Sequence, residues 1–173
     1  MNFDRAFELL IGHEGGYTNN PNDNGNWTGG QKGKGVLKGT KYGIAANTYP
    51  NLDIKNLTLP QAKEIYRRDF WGKVRCDDLP AQLRFQIFDM AVNSGVKRAV
   101  ILLQAALGFT GKNVDGIFGQ NTLNAVVQAD GNTLVLCYSA ERLDFYTGLS
   151  SWVNFGKGWT RRVASSLRTA VKG

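Results

Sequence analysis

The sequence predicts a mainly α-helical protein that carries a small, loop-rich lobe with a β-hairpin near its N-terminus. From residue 57 onward, apolar residues recur at the spacing of helices. Residues 17–50 instead contain seven glycines and only short apolar pieces, which is typical of loops and short strands. No run of about 18 apolar residues occurs, so no transmembrane helix is expected. The 173 residues suffice for one well-packed core.

The first predicted helix covers residues 3–14 and ends at the glycine pair 15–16. Its apolar stripe consists of Phe3, Phe7, Leu10 and Ile11. Glu14 continues that stripe by one step, so its carboxyl enters a partly apolar environment at the helix C-terminus. Desolvation and the negative end of the helix dipole both favour the protonated acid there. A general acid that works near neutral pH needs this property.

Residues 17–50 form the predicted lobe. The segment "GVLKGTKYGIA" predicts a β-hairpin that turns around Lys38–Gly39. A long stretch without helix in a compact domain is either functional or disordered. Aromatic and apolar anchors indicate that this one is ordered, and these anchors are Tyr17, Trp27, Tyr42 and Ile44.

Helices are predicted throughout the rest of the chain. Thr58 and Gln61 form a capping-box pattern, and the helix that follows them has an apolar face of Leu59, Ala62, Tyr66 and Phe70. A second helix runs from about residue 80 to residue 93, before Gly95, and turns Leu83, Ile87 and Met90 inward. The segment "VKRAVILLQAAL" is apolar almost all round, which is typical of a buried helix. Further helices are predicted at 119–129, 132–148 and 157–171.

The last of these helices has two different faces. Trp159, Val163, Leu167 and Val171 form an apolar stripe, and Arg161, Arg162, Arg168 and Lys172 form a basic face. Packing of the stripe on the core is the favoured interpretation, and contact of the basic face with an anionic outer membrane or lipopolysaccharide is the alternative. The net charge of +7 favours an anionic partner. Nucleic acid is not expected, because the lysines are scattered and no recognised motif interleaves them with aromatic residues.

Cysteine and histidine usage argues against metal or thiol chemistry. Cys76 and Cys137 lack metal-ligand spacing, and His13 is the only histidine. No secretory signal is expected, so the chain is expected to be made in a reducing cytoplasm, and two buried free thiols are favoured over a disulfide. Neither a cofactor nor a metal site is expected.

Glu14 and Asp23 are the candidate catalytic pair. Glycoside hydrolysis commonly uses one protonated and one ionised carboxyl across the scissile bond. Asp23 lies in the polar segment "NPNDNG", where backbone donors and lysines favour the ionised form. A hydroxyl that holds the attacking water would complete the site, and Thr28 and Thr40 are both available. A solvated glutamate and a simple turn aspartate are the competing interpretation.

Five motifs together resemble glycoside hydrolase family 108, and they are "HEGGYTNNPNDNGNWTGG", "GTKYGIA", "YRRDFW", "FDMAVNSG" and "VDGIFGQNT". This family contains phage endolysins and relatives that cleave peptidoglycan as N-acetylmuramidases. The resemblance implies a lysozyme-like helical fold, with Glu14 of the "EGGY" motif as the catalytic glutamate. It further implies a catalytic region over residues 1–87 and a peptidoglycan-binding-like region over residues 88–173, packed as one unit.

The resemblance also indicates the remaining site residues. The spacing of the phage-type Glu–Asp–Thr triad indicates Thr28, whereas the "YGI" motif indicates Thr40, and we favour Thr40. Tyr17, Tyr42, Asp89 and Asn93 are the candidate substrate-binding residues. For Asp89 and Asn93, a polar helix face before a C-cap is an equally weighted interpretation. The "VDGIFGQNT" turn resembles that of peptidoglycan-binding modules, although a loop that only positions two helices explains it as well.

The expected function is therefore that of a monomeric endolysin. It would cleave the β-1,4 bond between N-acetylmuramic acid and N-acetylglucosamine in peptidoglycan glycan strands. It would be made in the host cytoplasm and act in the periplasm or cell wall after release. A lytic transglycosylase of the same fold and a non-catalytic wall-binding protein are the alternatives.

Overall fold

The computed structural model describes residues 1–12 and 16–171. The chain divides into two compact units, residues 7–67 and residues 1–6 with those from 68 onward. The described residues form seven α-helices and one two-stranded sheet. The prediction of a mainly α-helical protein is confirmed. None of the described helices is both long and apolar enough to span a bilayer.

Helix α1 (Phe3–Ile11) ends three residues earlier than the sequence predicts. Gly12 follows it with a φ of +58°, the left-handed conformation in which glycine commonly ends a helix. The described apolar stripe therefore ends at Ile11. Glu14 itself lies outside the described residues.

The only sheet among the described residues is a short hairpin. Strands β1 (Thr40–Lys41) and β2 (Ile44–Ala45) are antiparallel, with Thr40 opposite Ala45. The two residues between them have φ values of +52° and +75°, as in the turns that best fit two-residue hairpins. The turn is therefore at Tyr42–Gly43, and its predicted position at Lys38–Gly39 is wrong. The backbone N–H groups of Lys38 and Gly39 instead donate to the Asn26 carbonyl.

Helix α2 (Leu59–Tyr66) begins with the predicted capping box. The Thr58 side chain accepts from the Gln61 N–H, and the Gln61 side chain accepts from the Thr58 N–H at 2.9 Å. The helix buries Ala62, Ile65 and Tyr66. Leu59, the first residue of the predicted apolar face, is 45% exposed. A π-helical segment, Arg67–Trp71, follows directly.

The second unit is a set of packed helices, and they are α3 (Ala81–Ser94), α4 (Val96–Ala106), α5 (Gln120–Gln128), α6 (Gly131–Thr147) and α7 (Trp152–Val171). Helix α3 packs against α4, α6 and α7. Its inward residues Leu83, Ile87 and Met90 are fully buried, as predicted. Helix α7 begins five residues before its predicted start at residue 157.

The two cysteines are free and lie in different environments. Cys76 is buried, and burial raises the pKa of its thiol. Cys137 is exposed on α6. The prediction of buried free thiols is therefore confirmed for Cys76 and wrong for Cys137.

Candidate active site

Asp23 lies in an exposed turn that its own side chain stabilises. Its Oδ1 accepts a hydrogen bond from the Gly25 N–H at 2.8 Å, and this bond caps the 3-10 turn Asn24–Asn26. The Asp23 N–H donates to the Asn20 carbonyl at 3.1 Å. The carboxylate is thus held in place by backbone bonds on a solvent-facing loop.

Asn26 joins this turn to the β-hairpin. Its side chain is fully buried, and its Nδ2 donates to the Asn20 carbonyl at 3.0 Å. Its Oδ1 accepts from the Thr40 hydroxyl at 2.7 Å. Sequence reasoning missed Asn26, because it is one of several asparagines in a segment typical of turns. A buried asparagine that binds partners on both sides is recognised only from the folded lobe.

Thr40 is fixed by its backbone as well as by its hydroxyl. It forms a β-bridge with Thr18, with N···O distances of 2.9 and 2.8 Å. Thr18 directly follows the "EGGY" motif in the chain. Because the single hydroxyl hydrogen of Thr40 is donated to Asn26, the Thr40 oxygen can only accept hydrogen bonds from any further partner.

Thr28, the alternative threonine, has a different role in the lobe. Its Oγ1 accepts from the Val36 N–H at 2.9 Å. The backbone bridge between Trp27 and Leu37 lies beside this contact. The Thr28 hydroxyl therefore closes a loop of the lobe, whereas that of Thr40 connects to the Asp23 turn.

Tyr17 is half-buried and borders a cleft of about 320 Å³. The cleft is also lined by Lys38, Asp53 and Lys55. Hydrogen bonds from the side chain and backbone of Asn56 lower the pKa of Asp53. Sequence reasoning missed Asp53, which gives this cleft a carboxylate beside an aromatic ring.

Tyr42 occupies the first turn position of the hairpin. Its carbonyl accepts a hydrogen bond from the Tyr66 hydroxyl at 3.0 Å. The Lys41 ammonium lies 5.4 Å from the centre of its ring. These contacts hold a half-buried aromatic ring at the tip of the hairpin.

Asp89 occupies a buried ion-pair network. Its two carboxylate oxygens bind the guanidinium groups of Arg142 and Arg162, each at 2.7 Å. Its side chain is 4% exposed, so the predicted contact between Asp89 and sugar is corrected to a structural ion pair. Arg162 was predicted to lie on an outward basic face, and this prediction is corrected because its guanidinium is paired with Asp89.

The other candidate residues of the second unit lie on its surface. Asn93 is exposed, and its Nδ2 donates to the Tyr146 hydroxyl at 3.0 Å. Arg161 and Arg168 are exposed on α7, and Lys172 lies outside the described residues. No group of three or more metal-ligating side chains occurs in the part of the chain that the structure describes.

The chain matches two family models. The model described as "Glycosyl hydrolase 108" matches residues 7–95, and the one described as "Predicted Peptidoglycan domain" matches residues 98–164. Among solved structures, the chain is similar to that in "Structure of Brucella abortus SagA". The identity is 33%, the match covers 98% of this chain and 94% of that chain, and the TM-score is 0.80. No curated protein sequence matches the chain.

Proposed function

Because the chain belongs to the glycosyl hydrolase 108 family, we propose that it cleaves the β-1,4 bond between N-acetylmuramic acid and N-acetylglucosamine. The helical fold is lysozyme-like, as the sequence predicts. The matched hydrolase and peptidoglycan models together support peptidoglycan as the polymer that is hydrolysed.

One observation carries the proposal, which is the link that Asn26 makes between two candidate residues. The Asn26 side chain accepts a hydrogen bond from the Thr40 hydroxyl and donates one to the Asn20 carbonyl. The same Asn20 carbonyl also accepts a hydrogen bond from the Asp23 N–H. An aspartate and a threonine 17 positions apart are thereby held by one polar network. Ordering of this kind suits a site that positions a water molecule against a sugar.

In this mechanism, Glu14 protonates the leaving glycosidic oxygen. Asp23 either stabilises the positive charge that develops at the anomeric carbon or orients the attacking water. Thr40 accepts one hydrogen of that water, because its own hydrogen is committed to Asn26. A water that donates to Thr40 is left with a lone pair for attack on the anomeric carbon. The proton that this water loses as the new C–O bond forms passes to Asp23, or to the Glu14 carboxylate left when the leaving oxygen takes its proton.

The decisive test is Glu14→Gln on purified peptidoglycan. Loss of a general acid typically lowers the rate by about 10²–10⁴, so hydrolysis of peptidoglycan by this variant should nearly vanish. Glu8→Gln is the matched control, since Glu8 is an exposed glutamate on α1, and it should keep wild-type activity. A Glu14→Gln protein with wild-type activity would refute the role of Glu14.

Mass analysis of the products separates the proposal from its alternatives. Hydrolysis adds water to the released muropeptides, whereas a lytic transglycosylase leaves 1,6-anhydro ends. A wall-binding protein without turnover would bind sacculi and release no soluble glycan. Hydrated products from wild type and Glu8→Gln, with none from Glu14→Gln, are the expected result.

The exposed basic residues of α7 support a second proposal. We propose that Arg161 and Arg168 bind an anionic membrane surface when the enzyme, released from the cytoplasm, lyses a cell. Binding to vesicles of anionic phospholipid should fall when both arginines are changed to glutamine. Lys32→Gln with Lys34→Gln removes the same charge from exposed residues of the other unit and should have a smaller effect. Equal binding by both double variants would refute the proposal.

A further inference from the structure

A polar cleft of about 360 Å³ lies beside the "VDGIFGQNT" turn, within the second matched region. Its shape is maintained by Gln104, which is 2% exposed. The Nε2 of Gln104 lies 2.8 Å from Asp115 Oδ1 and 3.1 Å from the Ile117 carbonyl, and its Oε1 accepts from the Gly116 N–H at 2.8 Å. A single buried amide thus fixes the backbone and the carboxylate on one side of the cleft.

The lining of this cleft is chemically selective. Asp115 is the only charged side chain among the described residues that line it. Hydrogen bonds from the Gln104 side chain and the Ile117 N–H lower the pKa of Asp115. The exposed amide side chains of Asn113, Gln120 and Asn121 provide donors and acceptors, and Phe109 provides an apolar wall.

The ligand that fits this lining carries a cation next to amide groups. The glycan of peptidoglycan has hydroxyl, acetamido and carboxyl groups but no cation. Its peptide stem has peptide bonds, small apolar side chains, free carboxyl groups and, as its only cation, the amino group of a diamino acid residue. A volume of about 360 Å³ is at the lower end of small-ligand sites, and it suits one or two amino acid residues better than a run of sugars.

We propose that this cleft binds the peptide stem of peptidoglycan, with Asp115 receiving the ammonium group of the diamino acid residue. The inference rests on the proposed function, since it takes peptidoglycan as the substrate. Binding of the stem would hold the enzyme on the polymer and raise the effective concentration of glycan at the hydrolytic site. The enzyme would therefore bind peptidoglycan that still carries its peptide stems more tightly than peptide-free glycan strands.

Asp115→Asn tests the charge without removing the structural hydrogen bonds. An asparagine Oδ1 can still accept from Gln104 and from the Ile117 N–H. The probe is a synthetic stem peptide with a free diamino acid amine, measured by calorimetry, and the same peptide acetylated on that amine. The peptide lacks any glycosidic bond, so its binding does not depend on whether the chain hydrolyses glycan.

Wild type should bind the free-amine peptide about five- to tenfold more tightly than the acetylated one, as a charge-assisted hydrogen bond would give. Asp115→Asn should bind both peptides equally. Asp130→Asn is the matched control, because Asp130 also accepts a backbone N–H on the surface of this unit and lies outside the cleft. It should keep the wild-type preference.

Two results would overturn the proposal. One is an unchanged preference for the free amine in Asp115→Asn. The other is binding of peptide-free glycan strands by wild type with no binding of either peptide. Asn121→Ala provides a second variant should Asp115→Asn fold poorly, and it should weaken binding of both peptides. Loss of hydrolysis by Glu14→Gln is measured separately, so the two proposals can fail independently.

Discussion

The loop lobe, residues 16–50, and the helical body, residues 68–171, are stabilised by different interactions. Among the described residues, the loop lobe buries only two apolar side chains, Ile44 and Ala46. Its chain is held by turns, two isolated β-bridges and the polar contacts of buried Asn26. The helical body buries a continuous apolar core and one charged network around Asp89.

This difference indicates where sequence changes should affect activity and where they should affect stability. In the loop lobe, the polar contacts of Asn26 connect the candidate catalytic residues Asp23 and Thr40, so their loss should displace the site. In the helical body, the buried charges lie among packed helices, so their loss should lower the free energy of unfolding. The following substitutions test this distinction.

The largest effect on stability is expected from Asp89→Leu. The substitution leaves the guanidinium of Arg142, which is fully buried, without its carboxylate partner. Removing one partner of a buried ion pair costs about 3–5 kcal/mol. Urea unfolding should show this loss, while Asp144→Leu, which changes an exposed aspartate on α6, should change the free energy by less than about 0.5 kcal/mol. Equal effects would show that the network does not stabilise the helical body.

Gly39→Ala should produce the next largest effect, and it should be confined to the loop lobe. Gly39 has a φ of +83°, and a Cβ at this position would lie 2.7 Å from Tyr17 Cε2. Gly33→Ala is the control, since Gly33 has a φ of +76° with open space around it. Both changes incur about 1–2 kcal/mol of left-handed strain, and the collision adds about 1–3 kcal/mol to Gly39→Ala. Amide exchange should therefore accelerate more in Gly39→Ala, and similar rates in the two variants would refute this.

Thr40→Val and Thr28→Val compare the two candidate threonines with matched shape. Thr40→Val leaves the buried Asn26 Oδ1 without its hydrogen-bond donor, which costs about 1–3 kcal/mol. It also removes the proposed acceptor for the attacking water, so kcat should fall. Thr28→Val removes only the acceptor for the Val36 N–H, and it should leave kcat nearly unchanged. The reverse order of kcat values would make Thr28 the catalytic threonine.

The smallest effect is expected from Thr58→Ala, at the N-cap of α2. Loss of an N-cap side chain costs about 1 kcal/mol. Thermal unfolding should show a lower midpoint. The kcat should stay unchanged, because the capping box involves only Thr58 and Gln61 at the start of α2. Thr147→Ala is the control, since Thr147 is an exposed residue at the end of α6. A fall in kcat for Thr58→Ala would show that the cap also positions the site.

Much of the helical body could be predicted from the sequence because its signals are local. The capping box at Thr58 and the glycine after Ser94 mark helix ends within a few residues of the chain. Long-range contacts were harder to predict. Arg162 looks like one basic residue among several until it meets Asp89, 73 positions away.

The loop lobe was predicted less well, since its signals are neither periodic nor local. Glycine at position 39 suggested a hairpin turn, but Lys38 and Gly39 donate to Asn26 instead. The actual turn places Tyr42 at a positive φ, which a bulky residue rarely adopts. Only the surrounding contacts, including the bond from the Tyr66 hydroxyl to the Tyr42 carbonyl, select this arrangement.

The sequence by itself determined the helical class, the order of the helices and the motifs that indicate a glycosyl hydrolase. These properties follow from residue type and short spacing, which are complete in the chain before it folds. Only the tertiary structure decided that Asn26 links Thr40 to the Asp23 turn and that Asp89 pairs with two arginines. Such pairings depend on which distant polar groups are buried together, because a buried polar group must find a partner wherever the fold brings one.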